Sequence, residues 1–360
     1  MSGVNLAGLY GRIGDLYSYL PMRLGAGYAF PPMRLALVLT HRCNLRCEMC
    51  NVWRNQTASR AREELSTAEV QRVIEATPCY AIITFTGGEP FLRDDIRDLL
   101  EFACRRRRVH LVTNGTLCTA ADGRRLPDLS PRRIYGKGLL SLGVSLEGPE
   151  AVHDAMVGVP GSYRRSISLI SAVAHGKRGR FPLVDVKVVM SRRTFPHLLD
   201  LYHAAAAAGA DLVSFQIENT QVSAYGVEKG GERAHAHEPP PVEEVPAPEV
   251  TGMVRQLREA ETSRTRIRFN PDIPVEELVN RYKNVFRREA FYCDTPWTVM
   301  HIGPYGDVFP CYSYPMGNVR NADLARIWNG PPYRAFRQAV ATAKIFPGCA
   351  GCCVMKWNGR

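Results

Sequence analysis

The stretch Thr40-His41-Arg42-Cys43-Asn44-Leu45-Arg46-Cys47-Glu48-Met49-Cys50 carries three thiols at C-x3-C-x2-C spacing, directly after an apolar run at residues 35–39. Three thiolates on one loop can bind three irons of a [4Fe–4S] cluster, which leaves the fourth iron open to a small molecule. A structural zinc site is the alternative, with His41 as the fourth ligand. The spacing of Cys43, Cys47 and Cys50 therefore predicts a metal centre at the end of this run.

The composition is that of a globular protein with a scattered excess of positive charge. The 360 residues are 45% hydrophobic and 22% charged, and Lys plus Arg outnumber Asp plus Glu by 46 to 35. The densest basic block, residues 105–108, follows a predicted helix, where cations complement the helix dipole. The chain lacks basic and aromatic interleaving of the kind that stacks bases, a membrane-length apolar run and a signal-peptide pattern. We therefore expect a cytoplasmic protein with no nucleic-acid partner and no membrane partner.

The distribution of the cysteines, like the opening motif, indicates metal binding. The chain has 11 cysteines, and most of them fall into two groups, one near residue 45 and one between residue 293 and the C-terminus. Disulfides are rare in the cytoplasm, so this clustering indicates metal binding rather than a disulfide framework.

From residue 34 onward, short β-rich runs alternate with helical patterns. The predicted strands cover residues 35–39, 81–85, 109–112, 142–146, 184–189 and 212–217, and the predicted helices cover residues 68–76, 94–104, 163–174 and 196–208. Such alternation favours parallel strands joined by right-handed crossovers. The predicted fold class is α/β, with a partial (β/α)6 TIM-like barrel over residues 34–220 after a lead-in at residues 1–33 that holds one short helix.

Unusual residues follow the first four predicted strands, where parallel α/β sheets collect their chemistry. Gly87-Gly88-Glu89-Pro90 follows the second strand, Asn114 the third, and Ser145 and Glu147 the fourth. Glycines allow the backbone to approach a ligand closely, the carboxylate can hold an ammonium group, and the proline fixes the turn. Ordinary turns are the alternative for each of these segments.

These motifs, taken in order, resemble those of the radical S-adenosylmethionine (radical SAM) superfamily. The resemblance implies that the three cysteines bind a [4Fe–4S] cluster and that S-adenosylmethionine (SAM) binds its open iron through an amine and a carboxylate. It also implies that Gly87, Gly88, Glu89 and Pro90 take the methionine amino group. Asn114, Ser145 and Glu147 are then expected to line the cofactor pocket.

Two positions depart from the pattern of that superfamily. Met49 stands where an aromatic residue beside adenine is common, and it offers a polarisable apolar side chain instead. The His-Asp-x-x-Arg-Gly pattern reads His153-Asp154-Ala155-Met156-Val157-Gly158, so its arginine is missing. Arg164, Arg192 and Arg193 are the candidates to replace it, and no carboxylate-binding role is transferred to any of them.

Residues 221–290 interrupt the alternation and are predicted to be an insert with helices. The part from residue 232 to 250 is rich in Pro and Glu and contains His235 and His237, which is typical of a flexible linker. Helical patterns follow at residues 250–261 and 275–289.

The tail, residues 291–360, carries the second cysteine group. Two short alternating runs around Gly303-Pro304-Tyr305-Gly306 predict a β-hairpin with Cys293 and Cys311 at its base, and Cys349-Ala350-Gly351-Cys352-Cys353 follows two short helical patterns. Cys293, Cys311, Cys349 and Cys352 are enough ligands for zinc or for a [4Fe–4S] cluster. The layout resembles the SPASM and twitch extensions of radical SAM enzymes, which implies one auxiliary [4Fe–4S] cluster.

The resemblance also implies a reaction and its partners. A reducing protein such as a flavodoxin or ferredoxin would supply the electron that cleaves SAM, and the resulting 5′-deoxyadenosyl radical would abstract hydrogen from a substrate at the barrel mouth. Only 33 residues precede the barrel, where peptide-modifying relatives commonly carry a leader-recognising domain. We therefore expect a small polar natural product, a sugar or aminocyclitol, as the substrate of an oxidation or epimerisation. A peptide-modifying maturase and a non-catalytic zinc-binding protein are the alternatives.

Three further residues are candidates for a catalytic role. Lys187 and Glu218 stand at or after later predicted strands, and Cys353 is a spare thiol beside the second cysteine group. A strand-pairing or surface role is the alternative for Lys187 and Glu218, and simple packing is the alternative for Cys353.

Overall fold

The computed structural model describes residues 6–50, 52–53, 63–221, 237–311 and 315–359, with the side chains of the first helix described from residue 14. Its centre is a ten-stranded sheet with the order β11-β10-β9-β1-β2-β3-β4-β5-β6-β7. The strands of the barrel are β1 (Arg34–Val38), β2 (Ile82–Thr86), β3 (Arg108–Thr113), β4 (Gly138–Ser145), β5 (Leu183–Met190), β6 (Leu212–Ile217) and β7 (Arg266–Asn270). Neighbouring strands from β1 to β7 pair in parallel.

The predicted α/β fold with a parallel, partial barrel is therefore confirmed. All six predicted strands are present within a few residues of their predicted bounds. The structure adds β7, which pairs with β6 through Leu212 and Arg266 to Gln216 and Asn270. The barrel sheet thus contains one parallel strand more than the sequence predicts.

Helices follow most of the strands and cover the outside of the sheet. They are α1 (Leu6–Arg23), α2 (Thr67–Ala76), α3 (Ile96–Arg106), α4 (Ala120–Asp128), α5 (Glu150–Val157), α6 (Ser162–Gly176), α7 (Leu198–Ala207), α8 (Ala247–Ala260), α9 (Val275–Tyr282), α10 (Thr295–Thr298), α11 (Leu324–Trp328) and α12 (Pro331–Ala343). A capping box precedes α2, with Ser66 and Glu69 each bonding the other's backbone N–H. Helices α4 and α5 are not among the predicted ones.

The two faces of the barrel strands differ in polarity. Apolar residues such as Ile83, Phe85, Val109 and Leu111 are completely buried in the core that the sheet shares with the helices. Because side chains alternate along a strand, the residues between them face the barrel interior. Most of those interior residues are polar. The polar ones are Thr84, Thr86, His110, Ser141, Ser145, Asp185, Lys187, Ser214, Gln216, Arg268 and Asn270.

The C-terminal hairpin is joined to the barrel sheet. It consists of β9 (Val299–Ile302) and β10 (Asp307–Phe309), which pair antiparallel, and β11 (Gly317–Asn318) adds to β10. Strand β9 pairs in parallel with β1, from Arg34 opposite Val299 to Leu37 opposite Ile302. The two remaining short strands, β8 (Phe291–Tyr292) and β12 (Lys356–Trp357), pair antiparallel with each other. The cysteine loop after β1 and the hairpin therefore belong to one continuous sheet.

Residues 232–236 of the predicted linker, including His235, lie outside the described residues, and His237 is exposed. The helix predicted at residues 275–289 ends at Tyr282. Asn284 adopts a left-handed backbone conformation with a φ of 57°, and its side chain accepts a hydrogen bond from the Val242 N–H at 2.8 Å. The chain leaves the helix at this point because Asn is one of the few residues that adopt this conformation readily.

The described helices include none that combines the length and the apolar character required to cross a lipid bilayer.

Candidate active site

The cysteine loop after β1 is held by backbone hydrogen bonds on two sides. The N–H groups of Gly88 and Glu89 each donate at 2.8 Å to carbonyls of the loop, those of Thr40 and Arg42. On the other side, the loop residues Arg46 and Glu48 donate to carbonyls at the end of α5, at 2.9 and 3.0 Å. The loop is thus positioned by the segment after β2 and by the helix after β4.

The two glycines after β2 are required by the cysteine loop itself. A Cβ atom on Gly88 would lie 2.1 Å from the Arg42 carbonyl oxygen, and one on Gly87 would lie 2.5 Å from that of Thr40. Both distances are far inside van der Waals contact with backbone atoms, which cannot move aside as a side chain can. These glycines therefore allow the two loops to pack closely, in addition to any approach to a ligand.

Glu89 connects the ends of β2 and β3. Its carboxylate is completely buried and accepts hydrogen bonds from the Phe91 N–H at 3.0 Å, the Thr113 hydroxyl at 2.7 Å and the Asn114 N–H at 2.7 Å. Burial raises the pKa of Glu89, and the three donated hydrogen bonds oppose that shift. The side chain predicted to meet an ammonium group thus also fixes the geometry of two strand ends.

A polar cluster joins the end of β3 to the cysteine loop. The Asn114 side chain donates to the Asn44 side-chain oxygen at 3.0 Å and accepts from the Thr116 hydroxyl at 2.7 Å. Asn44 donates to the same hydroxyl at 2.8 Å, which closes the ring. The Asn114 amide nitrogen also lies 4.0 Å from the Cys43 sulfur. Asn44 and Thr116 were not among the predicted site residues, although Asn44 lies within the opening motif and Thr116 is two residues after Asn114.

The three thiols of the loop lie close enough to affect one another's ionisation. Burial is the largest cause of the raised pKa of Cys47, followed by the Glu147 carboxylate and the Cys50 and Cys43 thiols. Burial also raises the pKa of Cys43. Uncompensated thiolates are disfavoured at such a place, whereas binding to iron would neutralise them. The donor set therefore fits an iron–sulfur cluster.

The segment after β4 brings two buried titratable groups beside this loop. The Glu147 carboxylate accepts from the Val189 N–H at 2.9 Å, and the Glu147 N–H donates to His153 Nδ1 at 3.1 Å. Burial raises the pKa of Glu147 to about 8 and lowers that of His153 to about 4. Ser145 ends β4 half-buried, and Met49 is half-buried on the cysteine loop.

The three arginines near the incomplete motif are engaged elsewhere. Arg164 pairs with Glu150 on the neighbouring helix at 2.6 Å, and Arg192 pairs with Glu249 at the same distance. Arg193 pairs with Glu48, between Cys47 and Cys50 on the cysteine loop. Of these arginines, Arg193 alone makes an ion pair with that loop.

Lys187 belongs to a charged cluster inside the barrel. It donates to Asp185 at 2.9 Å, and Asp185 also accepts from Ser214 at 2.7 Å and from Arg268 at 2.9 Å. The Lys187 side chain extends over Gly143, where a Cβ atom would lie 2.5 Å from its Cε atom. Burial, together with the nearby Lys187 charge, lowers the pKa of His110 to about 3. The ammonium group of Lys187 is thus occupied by an ion pair.

Four thiols of the second cysteine group, those of Cys293, Cys349, Cys352 and Cys353, lie close together. Burial raises the pKa of Cys352 well above its usual value, and the neighbouring Cys353, Cys349 and Cys293 thiols add to that shift. The Cys352 N–H donates to the Cys349 carbonyl at 3.0 Å, which closes the turn between them. Cys311 follows β10 and acts electrostatically on the buried Tyr333. Cys353 thus lies beside the thiols of the predicted second centre.

Glu218, the remaining catalytic candidate, directly follows β6. Its carbonyl accepts a hydrogen bond from Arg281 at 2.8 Å, and burial raises the pKa of its carboxyl group.

The zinc alternative for the first cysteine group needs His41 as a ligand. That side chain packs edge-on against Tyr305 of the hairpin turn, with 5.5 Å between the ring centroids. Among the described residues, no three His, Cys, Asp or Glu side chains converge on one point suited to a single metal ion.

Two family models match the chain in the same order as the two cysteine groups. The model described as the radical SAM superfamily matches residues 37–205, and a model described as an iron–sulfur cluster-binding domain, SPASM, matches residues 293–353. Together they cover more than half of the chain.

Curated relatives extend beyond these two regions. The PqqA peptide cyclase of Xanthomonas campestris is 27% identical over 332 residues, which cover 89% of this chain and 79% of the relative. The antilisterial bacteriocin subtilosin biosynthesis protein AlbA of Bacillus subtilis is 24% identical over 346 residues, which cover 92% of this chain and 67% of the relative.

Solved structures share the fold. Streptococcus suis SuiB superposes with a TM-score of 0.62 at 16% identity, covering 93% of this chain and 75% of SuiB. SuiB is also known bound to S-adenosylmethionine and bound to its precursor peptide SuiA. At this level of identity the likeness establishes the fold alone.

The predicted sugar or aminocyclitol substrate is wrong, because the PqqA peptide cyclase, which aligns with 89% of this chain, is named for a peptide substrate. That prediction depended on the number of residues before the barrel. Such a count does not report the shape or polarity of the substrate site.

The cofactors follow from the two matched models. They are a SAM-binding [4Fe–4S] cluster, S-adenosylmethionine and an auxiliary iron–sulfur cluster. The chain belongs to the radical SAM superfamily of enzymes and carries a C-terminal SPASM domain.

Proposed function

We propose that this protein is a peptide-modifying radical SAM enzyme that joins two positions of a precursor peptide to form a ring. The observation that carries the radical chemistry is the convergence of the Cys43, Cys47 and Cys50 loop with the segments after β2, β3 and β4. The peptide substrate and the ring closure are supported by the PqqA peptide cyclase, which aligns with 89% of this chain.

In this proposal Cys43, Cys47 and Cys50 bind the first cluster. Each cysteine of a [4Fe–4S] cluster binds a different iron, so the three thiols surround the cluster rather than meet at one point. That requirement agrees with thiols that influence one another without forming a single-ion site. The backbone bonds from Gly88 and Glu89 hold the loop in the conformation that receives the cluster.

The methionine part of SAM would lie over the Gly87-Gly88-Glu89-Pro90 segment, with Asn114, Ser145, Glu147 and Met49 around the rest of the cofactor. Glu89 already accepts three hydrogen bonds from protein groups. Its main contribution is therefore to orient the segment, and one remaining lone pair is available for an ammonium group. Asn114 contributes its position beside Cys43 and a polar side chain that Asn44 holds in place.

When bound, the first cluster and SAM supply the 5′-deoxyadenosyl radical that removes a hydrogen atom from the peptide, and the auxiliary cluster supplies a one-electron acceptor. We assign Cys293, Cys311, Cys349 and Cys352 as the ligands of the auxiliary cluster. Cys353 lies beside them and remains a candidate for a thiol role at the same place.

The interior of the barrel is suited to the chemistry of a polar substrate. The cluster of Asp185, Lys187, Ser214 and Arg268 holds one carboxylate and two cations, so it keeps one net positive charge when a substrate enters. We assign Lys187 a structural role in this cluster. Glu218, after β6 and with a raised pKa, is the better candidate for a proton acceptor at the barrel mouth.

The test is anaerobic turnover with SAM, dithionite and a pool of peptides prepared from cells grown in deuterated medium. We expect deuterium to appear in 5′-deoxyadenosine, since hydrogen is abstracted from the peptide. A deuterated sugar mixture is the control and should transfer none. Transfer from the sugars and none from the peptides would refute the peptide assignment.

A variant with Cys43, Cys47 and Cys50 all replaced by alanine is the second control. It should form no 5′-deoxyadenosine from SAM under the same conditions. Persistent turnover in that variant would refute the assignment of the first cluster.

A further inference from the structure

A buried arginine lies against the second cysteine group. Arg281, in the last turn of α9, is only 8% exposed. Its Nη2 atom and its Cζ atom would lie 2.7 and 3.1 Å from a Cβ atom on Gly351, the glycine between Cys349 and Cys352. Gly351 has a φ of +82°, so the turn that carries the two cysteines approaches the guanidinium with its backbone.

The position of Arg281 is fixed from the barrel side. It donates from Nη2 to the Glu218 carbonyl at 2.8 Å, at the end of β6. The next residue, Tyr282, is completely buried and donates to the Met190 carbonyl at 2.5 Å, at the end of β5. Two strand ends therefore hold α9 so that the guanidinium stays between the barrel and the C-x2-C turn.

The charge of Arg281 is not balanced by an ion pair in the described part of the chain. Glu218 acts on it electrostatically without forming an ion pair, and its Nε atom is buried with no hydrogen-bond partner. A guanidinium remains protonated in proteins, and burying an uncompensated charge is costly. The lysine of this region, Lys356, differs, because Asp15 and Asp294 both pair with it.

The second cysteine group would supply the missing negative charge. Four thiolates around a [4Fe–4S] cluster in its 2+ state give a net charge of 2−, and one-electron reduction brings the net charge to 3−. A nearby fixed cation stabilises both forms and stabilises the more negative, reduced form more strongly.

We propose that Arg281 is a positioning residue of the auxiliary cluster, whose buried charge compensates the cluster and raises its reduction potential. The inference rests on the assignment of Cys293, Cys311, Cys349 and Cys352 in the proposed function. It makes the cluster a better one-electron acceptor, and it couples the end of β6 to the C-x2-C turn through one side chain.

The experiment measures the auxiliary cluster alone. In the background of the Cys43→Ala, Cys47→Ala and Cys50→Ala chain, reconstituted anaerobically, iron is counted and the cluster is titrated with titanium(III) citrate while its reduced form is followed by electron paramagnetic resonance. The compared chains are the background, Arg281→Met, Arg281→Lys and Arg255→Met. Arg255 is exposed on α8, so its variant removes the same charge from a surface position.

We expect Arg281→Met to lower the equilibrium constant for reduction about tenfold, which is about 59 mV for a one-electron couple. Arg281→Lys, which keeps the charge, and Arg255→Met should both stay near the background value. Loss of iron in Arg281→Met with retention in Arg281→Lys would also support the proposal. A potential unchanged in Arg281→Met would overturn it.

Two other outcomes are separable from these. Loss of iron in both Arg281 variants would mean that the shape of the guanidinium matters rather than its charge, and would overturn the proposal. A background chain that holds no iron would instead refute the assignment of the second cysteine group, and the proposal would fall with it.

Discussion

The Glu89 carboxylate accepts a hydrogen bond from the Asn114 N–H at 2.7 Å, and this buried contact joins the segment after β2 to the segment after β3. Glu89→Gln replaces one acceptor oxygen with an NH2 group that must face a donor. We expect the free energy of unfolding to fall by about 1–3 kcal/mol, because a buried donor is left unsatisfied. The affinity for SAM should fall as well, since the segment that meets it shifts.

Urea denaturation and equilibrium binding of SAM measure the two effects. Glu259→Gln, at an exposed position on α8, is the matched control and should change neither. Wild-type stability in Glu89→Gln would show that the three hydrogen bonds contribute little.

Gly88→Ala should displace the cysteine loop. The added Cβ would lie 2.1 Å from the Arg42 carbonyl oxygen, so the backbone after β1 must move. We expect iron in the reconstituted protein to drop by about four per chain, the content of one cluster. Gly252→Ala is the control, because a Cβ at that position in α8 meets nothing within 4 Å. It should retain its iron and gain up to about 1 kcal/mol of stability. Full iron content in Gly88→Ala would contradict the packing argument.

Removal of the C-x2-C pair should separate the two clusters. A chain with Cys349→Ala and Cys352→Ala is expected to hold about four irons instead of about eight. Formation of 5′-deoxyadenosine should persist, because the loop after β1 is untouched, while the cyclised peptide should not form. Iron analysis and mass spectrometry test this pair of outcomes. Retention of about eight irons would exclude these two cysteines as ligands.

His153 should make stability depend on pH. Burial lowers its pKa to about 4 in the folded chain, against about 6.5 when unfolded. Between these values the unfolded chain binds a proton that the folded chain does not, so this contribution is present above pH 6.5 and is lost as the pH falls towards 4.

His153→Asn keeps an acceptor for the Glu147 N–H and removes the titration. We expect the free energy of unfolding of this variant, relative to that of the wild type, to rise by about 2 kcal/mol on going from pH 7.5 to pH 5. Denaturation of both chains at each pH measures the difference, and His203→Asn, at an exposed position on α7, is the control. Parallel pH profiles for the wild type and His153→Asn would be evidence against a neutral, buried imidazole.

Removal of the Asp185 carboxylate should destabilise the folded chain more than removal of the Lys187 ammonium group. Asp185→Ala leaves Lys187 and Arg268 without their shared carboxylate, and we expect a loss of about 3–5 kcal/mol. Lys187→Met leaves Asp185 paired with Arg268 and Ser214, and keeps an apolar stem over Gly143. Its cost should be about 1 kcal/mol. Equal losses in the two variants would show that the cluster is not organised around the carboxylate.

Contacts with other elements explain why the sequence did not predict β7 and α4. Strand β7 reads Arg-Ile-Arg-Phe-Asn, and its charged residues hide the alternation. They are tolerated because Arg268 enters the barrel and meets Asp185 at 2.9 Å. Helix α4 contains Gly123 and Pro127, which read as breakers. A Cβ on Gly123 would lie 2.8 Å from the Ala172 side chain, so that glycine serves helix packing.

The residues of the candidate site also divide into those that a local sequence pattern predicts and those that it does not. The thiols, the glycine pair and Asn114 were found because they are close in sequence to recognisable strand ends. Arg281 could not be found, because its partners Glu218 and Gly351 are 63 and 70 residues away and no local pattern connects them. The Thr119 and Asp122 capping box before α4 was a local signal that the prediction overlooked.

The parallel pairing of β9 with β1 has a consequence for electron transfer. The loop with Cys43 leaves one of these strands, and the chain enters the other shortly after Cys293, so the hydrogen-bond register sets where Cys293 lies relative to that loop. A slip by one residue would turn every side chain of β9 to the opposite face, so the register cannot vary gradually. Electron transfer rates depend steeply on distance. In the proposed assignment this register helps to fix the distance between the two clusters, and we expect that distance to stay constant through turnover.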